Sequence, residues 1–389
     1  MSKLFRVFVF LFLVTFLFAS LSLTSAADFV ASPSVSAQSA VLIEAQSGRV
    51  IYQKNANLRL PMASTTKIMT AIAAARLAPF DTQICIDARM VGVEGSSIYL
   101  AEGEILTLEE LLYALLLESA NDAAVAIAIG LSGSVEAFCE EMNREAARLG
   151  LADTHFTNPH GLDDEEHYTT AMELALVARA LLSNPKLAAI VATQKIRITT
   201  ADPAHTRVLS NHNRLLRAYT GCIGVKTGYT KRSGRCLVSA AEREGVRLIA
   251  VTLNAPNDWQ DHSAMLDYGF EQLRSVLLCA KEEYQIEVPI VGGECAALLV
   301  SNPTPLSVTL PKKPIAVKAT VELPRFLYAP VQKGDVVGKV VYQAASDGNG
   351  NFAVLGEVEL LATDFAQTPP QKSFWQRIVD FFRNLFTFN

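Results

Sequence analysis

Two apolar, strand-like stretches lying far apart in the chain constrain the fold most. Near the start, "SAVLIEAQSGRVIYQKN" sets apolar runs on both sides of Gln46-Ser47-Gly48, as in two strands joined by a tight turn. Much later, "CLVSAA", the turn "EREG" and "RLIAVTLNA" form an antiparallel set with short connections. The sequence between them is helical. It turns so from Ser64, and again in "LTLEELLYALLLESANDAAVAIAIGL", where Thr107 followed three residues later by Glu110 resembles a capping box. A further helix, "VEAFCEEMNREAARLGL", spaces Phe138, Met142 and Leu149 along one face. Strand, helices, then strands of the same sheet predicts an α/β unit in which helices flank an antiparallel sheet.

That unit does not use the whole chain. With 389 residues, half of them hydrophobic, there is material for two ordinary domains. From about residue 280 the character changes to short runs, "AALLV", "LSVTL", "IAVKATVEL" and "VVGKVVY", separated by Pro, Gly and Asn clusters, which predicts a small all-β domain over 280–365. Its loop "DGNGN" imitates the start of a calcium loop at Asp347, Asn349 and Asn351. Phe352 stands where the glycine is required and Val358 where the bidentate glutamate belongs, so a plain turn is expected.

The two ends read as membrane-directed. Lys3 and Arg6 precede the apolar run "VFVFLFLVTFLF", which ends in small residues at "SLTSAAD". This is the order of a secretory signal peptide over 1–27, cleaved after Ala26 or Ala27; the alternative is a retained anchor, for which the run is short. Either reading puts the body of the protein outside the cytoplasm, and six scattered cysteines are compatible with that compartment. Cys222 and Cys236, which flank a candidate hairpin, are the one pair worth testing as a disulfide. At the other end, 373–389 "SFWQRIVDFFRNLFTFN" separates on a helical wheel into a polar arc of roughly 120° and an apolar remainder rich in Phe. As a helix of about 26 Å it is short for a span and should lie in the membrane interface. The net charge of −5, without long basic runs, gives no footprint for nucleic acid.

Three short constellations carry the chemistry: Ser64-Thr65-Thr66-Lys67 at a helix start, Ser119-Ala120-Asn121 between helices, and Lys226-Thr227-Gly228 on a strand. Each alone is weak, but their order and placement together are specific. Residues three apart on a helix share a face, so the Lys67 amine can reach the Ser64 hydroxyl. Apolar neighbours Ile68, Met69, Ile72 and Ala73, and a second cation such as Lys226, would both lower the Lys67 pKa. A neutral lysine can take the serine proton and create a usable nucleophile. Backbone N–H groups at the helix start suit an oxyanion. Ser119 and Asn121 could be a plain cap for the next helix, or could relay a proton and hold a substrate amide. Lys226 and Thr227 can bind a carboxylate, and Gly228 lets an extended peptide approach the strand. These are the parts of an acyl-transfer site for a peptide with a free C-terminal carboxylate.

The three motifs, with "SAVLIEAQSGRVIYQKNANLRLPMASTTKIMTA" and "HFTNPHGLDDEEHYTTAMELALVARAL", resemble the low-molecular-mass penicillin-binding proteins that act as serine-type D-alanyl-D-alanine carboxypeptidases. The resemblance covers nearly the whole chain. It implies a β-lactamase/transpeptidase-like catalytic domain over 36–275, a trailing β domain and an amphipathic anchor, on a protein secreted across the cytoplasmic membrane and peripheral on its outer face. It also implies a peptidoglycan stem peptide ending in D-Ala-D-Ala as substrate, β-lactams as covalent inhibitors, and no cofactor or metal. On the family pattern Ser64 is the acylated nucleophile and Lys67 the general base. Ser119 and Asn121 assist proton transfer and positioning, Lys226 and Thr227 bind the terminal carboxylate, Gly228 leaves the strand open to the peptide, and the N–H groups of Ser64 and Tyr229 form the oxyanion hole. Arg235, beside the site in "TKRSGR", leaves fine substrate preference open. His155, His160 and His167 invite a zinc reading, but "HFTNPHGLDDEEH" has no defensible ligand spacing, and the family pattern makes it a structural segment. A serine β-lactamase would need a water-activating glutamate that no motif supplies. A silent wall-binding protein would have no use for the serine-lysine pair.

Overall fold

The computed structural model describes residues 31–198, 206–346, 351–368 and, towards the C-terminus, 375, 376, 378, 379 and 383. The expected signal peptide, most of the expected terminal helix and residues 347–350 of the calcium-like loop lie outside these described residues.

The chain begins with the expected hairpin of β1 (Ser39–Glu44) and β2 (Val50–Lys54). A single 3₁₀ turn, Ala63–Thr66, then leads into α1 (Lys67–Leu77). A short ribbon of β3 (Gln83–Cys85) and β4 (Ile105–Thr107) precedes α2 (Leu108–Tyr113), α3 (Asn121–Ser132), α4 (Val135–Arg148), α5 (Ala171–Ser183) and α6 (Pro185–Ala192). The capping box forms as expected at α2: the Thr107 hydroxyl accepts from the Glu110 N–H and the Glu110 carboxylate accepts from the Thr107 N–H. A second ribbon, β5 (Lys195–Ile198) with β6 (Arg207–Ser210), and the turn of α7 (Leu215–Ala218) bring the chain to β7 (Cys222–Thr230), β8 (Gly234–Arg243), β9 (Val246–Leu253) and α8 (Asp258–Gln272).

The main sheet has the order β2-β1-β9-β8-β7, and every neighbouring pair is antiparallel. Its strands are nearly continuous apolar runs because both faces are covered. Val41, Ile43, Val238, Ala240, Ile249 and Val251 point into a core shared with helix residues such as Ile68, Leu111 and Ile127. The alternate residues Ala40, Leu42, Ala241, Leu248 and Ala250 point to the other side, where Met265 and Leu266 of α8 meet them. α3, "NDAAVAIAIGLS", is buried over most of its surface and runs through the helical layer.

Cys222 and Cys236 do not form a bridge. In the β7–β8 register Cys222 faces Ala241, whereas Cys236 faces Gly228 near the turn. The two lie about 17 Å apart along the strands, far beyond disulfide reach.

β10 (Leu273–Cys279) follows α8 directly and pairs with a later strand, so 276–279, which fell between the two expected domains, is strand. Beyond it are β11 (Gln285–Val291), β12 (Ala297–Ser301), β13 (Leu306–Pro311), β14 (Val317–Glu322), β15 (Leu327–Tyr328), β16 (Val336–Ser346) and β17 (Asn351–Ala362). Six of these form a sheet of order β14-β16-β17-β12-β11-β15, and β13 is the partner of β10. Val288, Val300, Val340, Tyr342, Val358 and Leu360 form a separate core there.

Candidate active site

Ser64 lies in the 3₁₀ turn immediately before α1, and Lys67 is the first residue of that helix. This spacing brings the Lys67 Nζ to 3.0 Å from the Ser64 Oγ. Lys67 is fully buried, and its Nζ also lies 2.7 Å from the Asn121 Oδ1 and 2.5 Å from the His160 carbonyl oxygen. Burial pushes the amine well below the ordinary lysine range, the nearby Lys226 cation pushes the same way, and Asp122 opposes them. Three oxygens surround Nζ, those of Ser64, Asn121 and His160; once the lowered pKa frees a lone pair, the two carbonyl oxygens keep its N–H groups and the Ser64 hydroxyl is the one partner able to give it a proton.

Asn121 serves the site and not a helix cap. Ala120 occupies the cap position of α3 and no side chain bonds there. The Asn121 amide instead accepts from Lys67 and donates from Nδ2 to the Glu94 carbonyl at 2.6 Å. Ser119 ends a π-helical turn, Ala114–Glu118, in the left-handed conformation (φ +62°), so the chain reverses there and the serine lines the cleft. The cleft has a volume of about 360 Å³, and its walls include Ser64, Ser119, Thr227, Gly228 and Tyr229.

Lys226, Thr227, Gly228 and Tyr229 sit on β7, the edge strand of the main sheet. Lys226 is 1% exposed and donates to the Thr227 carbonyl at 3.1 Å. Burial lowers its pKa to about 7, against a raising effect from Glu118. Gly228 has a closer neighbour than any peptide: a Cβ there would sit 3.0 Å from the Ser64 nitrogen and 3.1 Å from the Thr65 nitrogen. The absence of a side chain therefore lets the nucleophile's own turn pack against the strand. The structure thus brings together the seven residues selected from the three motifs and Tyr229, which follows the last of them on β7.

The structure adds contacts around the site that the three motifs did not supply. The His160 carbonyl reaches Lys67 because Asn158-Pro159-His160-Gly161 wraps the nucleophile's turn; the Thr70 hydroxyl donates to the Pro159 carbonyl at 2.6 Å. Asp122, buried beside the site, accepts from the Ser97 hydroxyl and the Leu100 N–H and so holds the facing loop. Arg235 pairs with Asp258 at 3.0 Å and lies 5.8 Å from the Trp259 ring centre, forming one rim of the cleft with two residues from the start of α8. The histidines are occupied individually: His155 Nδ1 lies 2.6 Å from the Glu166 carbonyl, and His167 bridges Thr66 and Thr157.

The sequence profile of the D-alanyl-D-alanine carboxypeptidase family matches residues 26–257. The D-alanyl-D-alanine carboxypeptidase DacF of Bacillus subtilis (strain 168) is 35% identical over 318 residues, covering 78% of this chain and 81% of its own. DacC of Escherichia coli (strain K12), of the same description, is 31% identical over 347 residues, covering 84% and 85%. Among solved structures, penicillin binding protein 5 from Haemophilus influenzae superposes with a TM-score of 0.66 at 28% identity, over 87% of this chain and 99% of that one. A profile match of this length, with relatives aligned over most of both chains, makes the protein a member of the D-alanyl-D-alanine carboxypeptidase family.

Proposed function

We propose that the protein removes the terminal D-alanine from peptidoglycan stem peptides ending in D-Ala-D-Ala, by way of an acyl-enzyme on Ser64. The observation that carries this reading is the fully buried Lys67 amine, pushed well below the ordinary lysine range and 3.0 Å from the Ser64 hydroxyl. Ser64 Oγ attacks the penultimate carbonyl as its proton passes to Lys67 Nζ. The N–H groups of Ser64 and Tyr229 receive the developing oxyanion. The proton then returns through Lys67 and Ser119 to the leaving D-alanine amine, while Asn121 holds Lys67 and the substrate amide. Lys226 and Thr227 bind the terminal carboxylate, and water releases the acyl group in a second cycle. A penicillin, whose lactam imitates the D-Ala-D-Ala end, acylates the same oxygen.

The test is D-alanine release from diacetyl-L-Lys-D-Ala-D-Ala by the purified protein. Release should vanish in Ser64→Ala and after penicillin treatment. Release that persists in Ser64→Ala would refute the assignment.

The exported, membrane-bound part of the reading rests on sequence pattern. A signal peptide over 1–27 would deliver the catalytic domain (36–275) and the β domain (280–365) to the outer face. The 373–389 helix would then hold them at the lipid surface; Trp375 and Val379 are solvent-exposed, as that role requires. Deleting 373–389 should release an active soluble enzyme, and a truncated protein that still sediments with membranes would sink the anchor assignment.

A further inference from the structure

Ala63, immediately before the nucleophile, has φ +48°, a region that non-glycine residues seldom occupy. Local preference does not hold the Ala63–Ser64 peptide in place, yet its orientation matters. The peptide is planar, so its carbonyl oxygen and the Ser64 N–H point in opposite directions, and whatever fixes the carbonyl aims the N–H. The Ala63 carbonyl accepts from the Thr66 hydroxyl at 2.8 Å. It is also covered by Gly161, where a Cβ would come within 2.0 Å of that oxygen. On the opposite side, Gly228 of β7 backs the Ser64 nitrogen.

The Thr66 hydroxyl has one proton, and it goes to Ala63. Its 2.8 Å contact with His167 Nε2 must therefore be an N–H donated by the ring. His167 Nδ1 in turn accepts from the Thr157 N–H at 3.1 Å. One tautomer satisfies the whole chain from Thr157 through His167 and Thr66 to Ala63. Thr66 and His167 are both buried, and neither lines the cleft.

We propose that His167 is a positioning residue for acylation: through the Thr66 hydroxyl it locks the Ala63–Ser64 peptide, so that the Ser64 N–H is aimed at the carbonyl oxygen under attack. The inference rests on the reading of Ser64 as the acylated residue and of its N–H as an oxyanion donor.

The experiment measures acylation of the full-length chain by a fluorescent penicillin, separating the dissociation constant of the first complex from the limiting rate. Thr66→Val and His167→Ala should each lower the limiting rate by roughly 10- to 100-fold. The dissociation constant should stay within about twofold, because binding to the cleft is untouched. The double variant should lose no more than the worse single one, since both substitutions break the same chain. His167→Gln, which can still donate to Thr66, should recover most of the rate. The midpoint of the rate's pH profile should not move, because Lys67 is unaltered. If His167→Ala fails to fold, Thr66→Val carries the same comparison. A variant that merely melts earlier, with a wild-type limiting rate, would overturn the inference, as would losses that multiply in the double variant. Labelling that survives in Ser64→Ala would overturn the nucleophile assignment, and this inference with it.

Discussion

Replacing Lys67 with methionine is expected to slow acylation of Ser64 by roughly 10³-fold or more while leaving the chain folded. Methionine fills a similar volume but cannot accept the serine proton, and no other basic group is hydrogen-bonded to the Ser64 hydroxyl among the described residues. The pH profile of the wild type should show the cause. Lys67 is held well below the ordinary lysine range by burial and by Lys226, so acylation should rise with pH through a limb that also lies below that range. Burial lowers the Lys226 pKa to about 7, so carboxylate binding should weaken above neutrality as that charge is lost. The result for stability runs opposite to that for activity. The unfolded chain holds the Lys67 proton up to about pH 10, whereas burial favours its loss in the folded chain, so below that pH the buried amine lowers the stability of the fold. The methionine variant should therefore melt no earlier than the wild type. Penicillin labelling at the wild-type rate in Lys67→Met would remove Lys67 from its role as base.

The second large effect is loss of stability in mild acid. His167 and His262 are buried and neutral, with pKa values lowered to about 4 and about 3. Desolvation is the main cause for both. His262 is clamped between the Ser239 hydroxyl at 2.5 Å and the Thr252 hydroxyl at 2.9 Å, tying α8 to β8 and β9. In the unfolded chain both histidines take up a proton near pH 6.5, whereas the native rings stay neutral. Their contribution is complete above that pH and is lost as the pH falls towards the folded values. By pH 5, with most carboxylates still ionised, the two together should cost roughly 4 kcal/mol, a large part of a typical domain's 5–15 kcal/mol. Urea unfolding followed from pH 7 to pH 5 measures this directly. A free energy that stays flat over that window would mean the rings gain protons in place.

Catalytic parts that repeat a local pattern were legible in the sequence. A serine three residues before a lysine in apolar surroundings is enough to predict a shared face and a lowered pKa, and apolar strand runs at both ends of a helical stretch are enough to predict a sheet flanked by helices. Contacts made by backbone atoms were not legible. The His160 carbonyl on Lys67 and the pressure of Gly161 on the Ala63 carbonyl depend on where a loop lies, and any residue type carries a carbonyl. Gly228 shows the intermediate case: the need for glycine was readable, but the neighbour that imposes it is the nucleophile's turn. The cysteine pair failed for a related reason, because residues that flank a turn in sequence need not face each other in register.

The pairing of β1 with β9 joins Val41 to Val251, so the central sheet is completed by contacts between distant parts of the chain. Such closure carries a loop-entropy cost that local helices do not, so it is expected to follow them in folding. The nucleophile's turn follows the first hairpin, and the strand that abuts it at Gly228 belongs to the last three strands of that sheet. A competent serine should therefore need β7 in place against its turn, so that a half-built chain is expected to offer none to an antibiotic or a stray acyl donor. In a refolding experiment, penicillin labelling should appear no earlier than closure of the sheet.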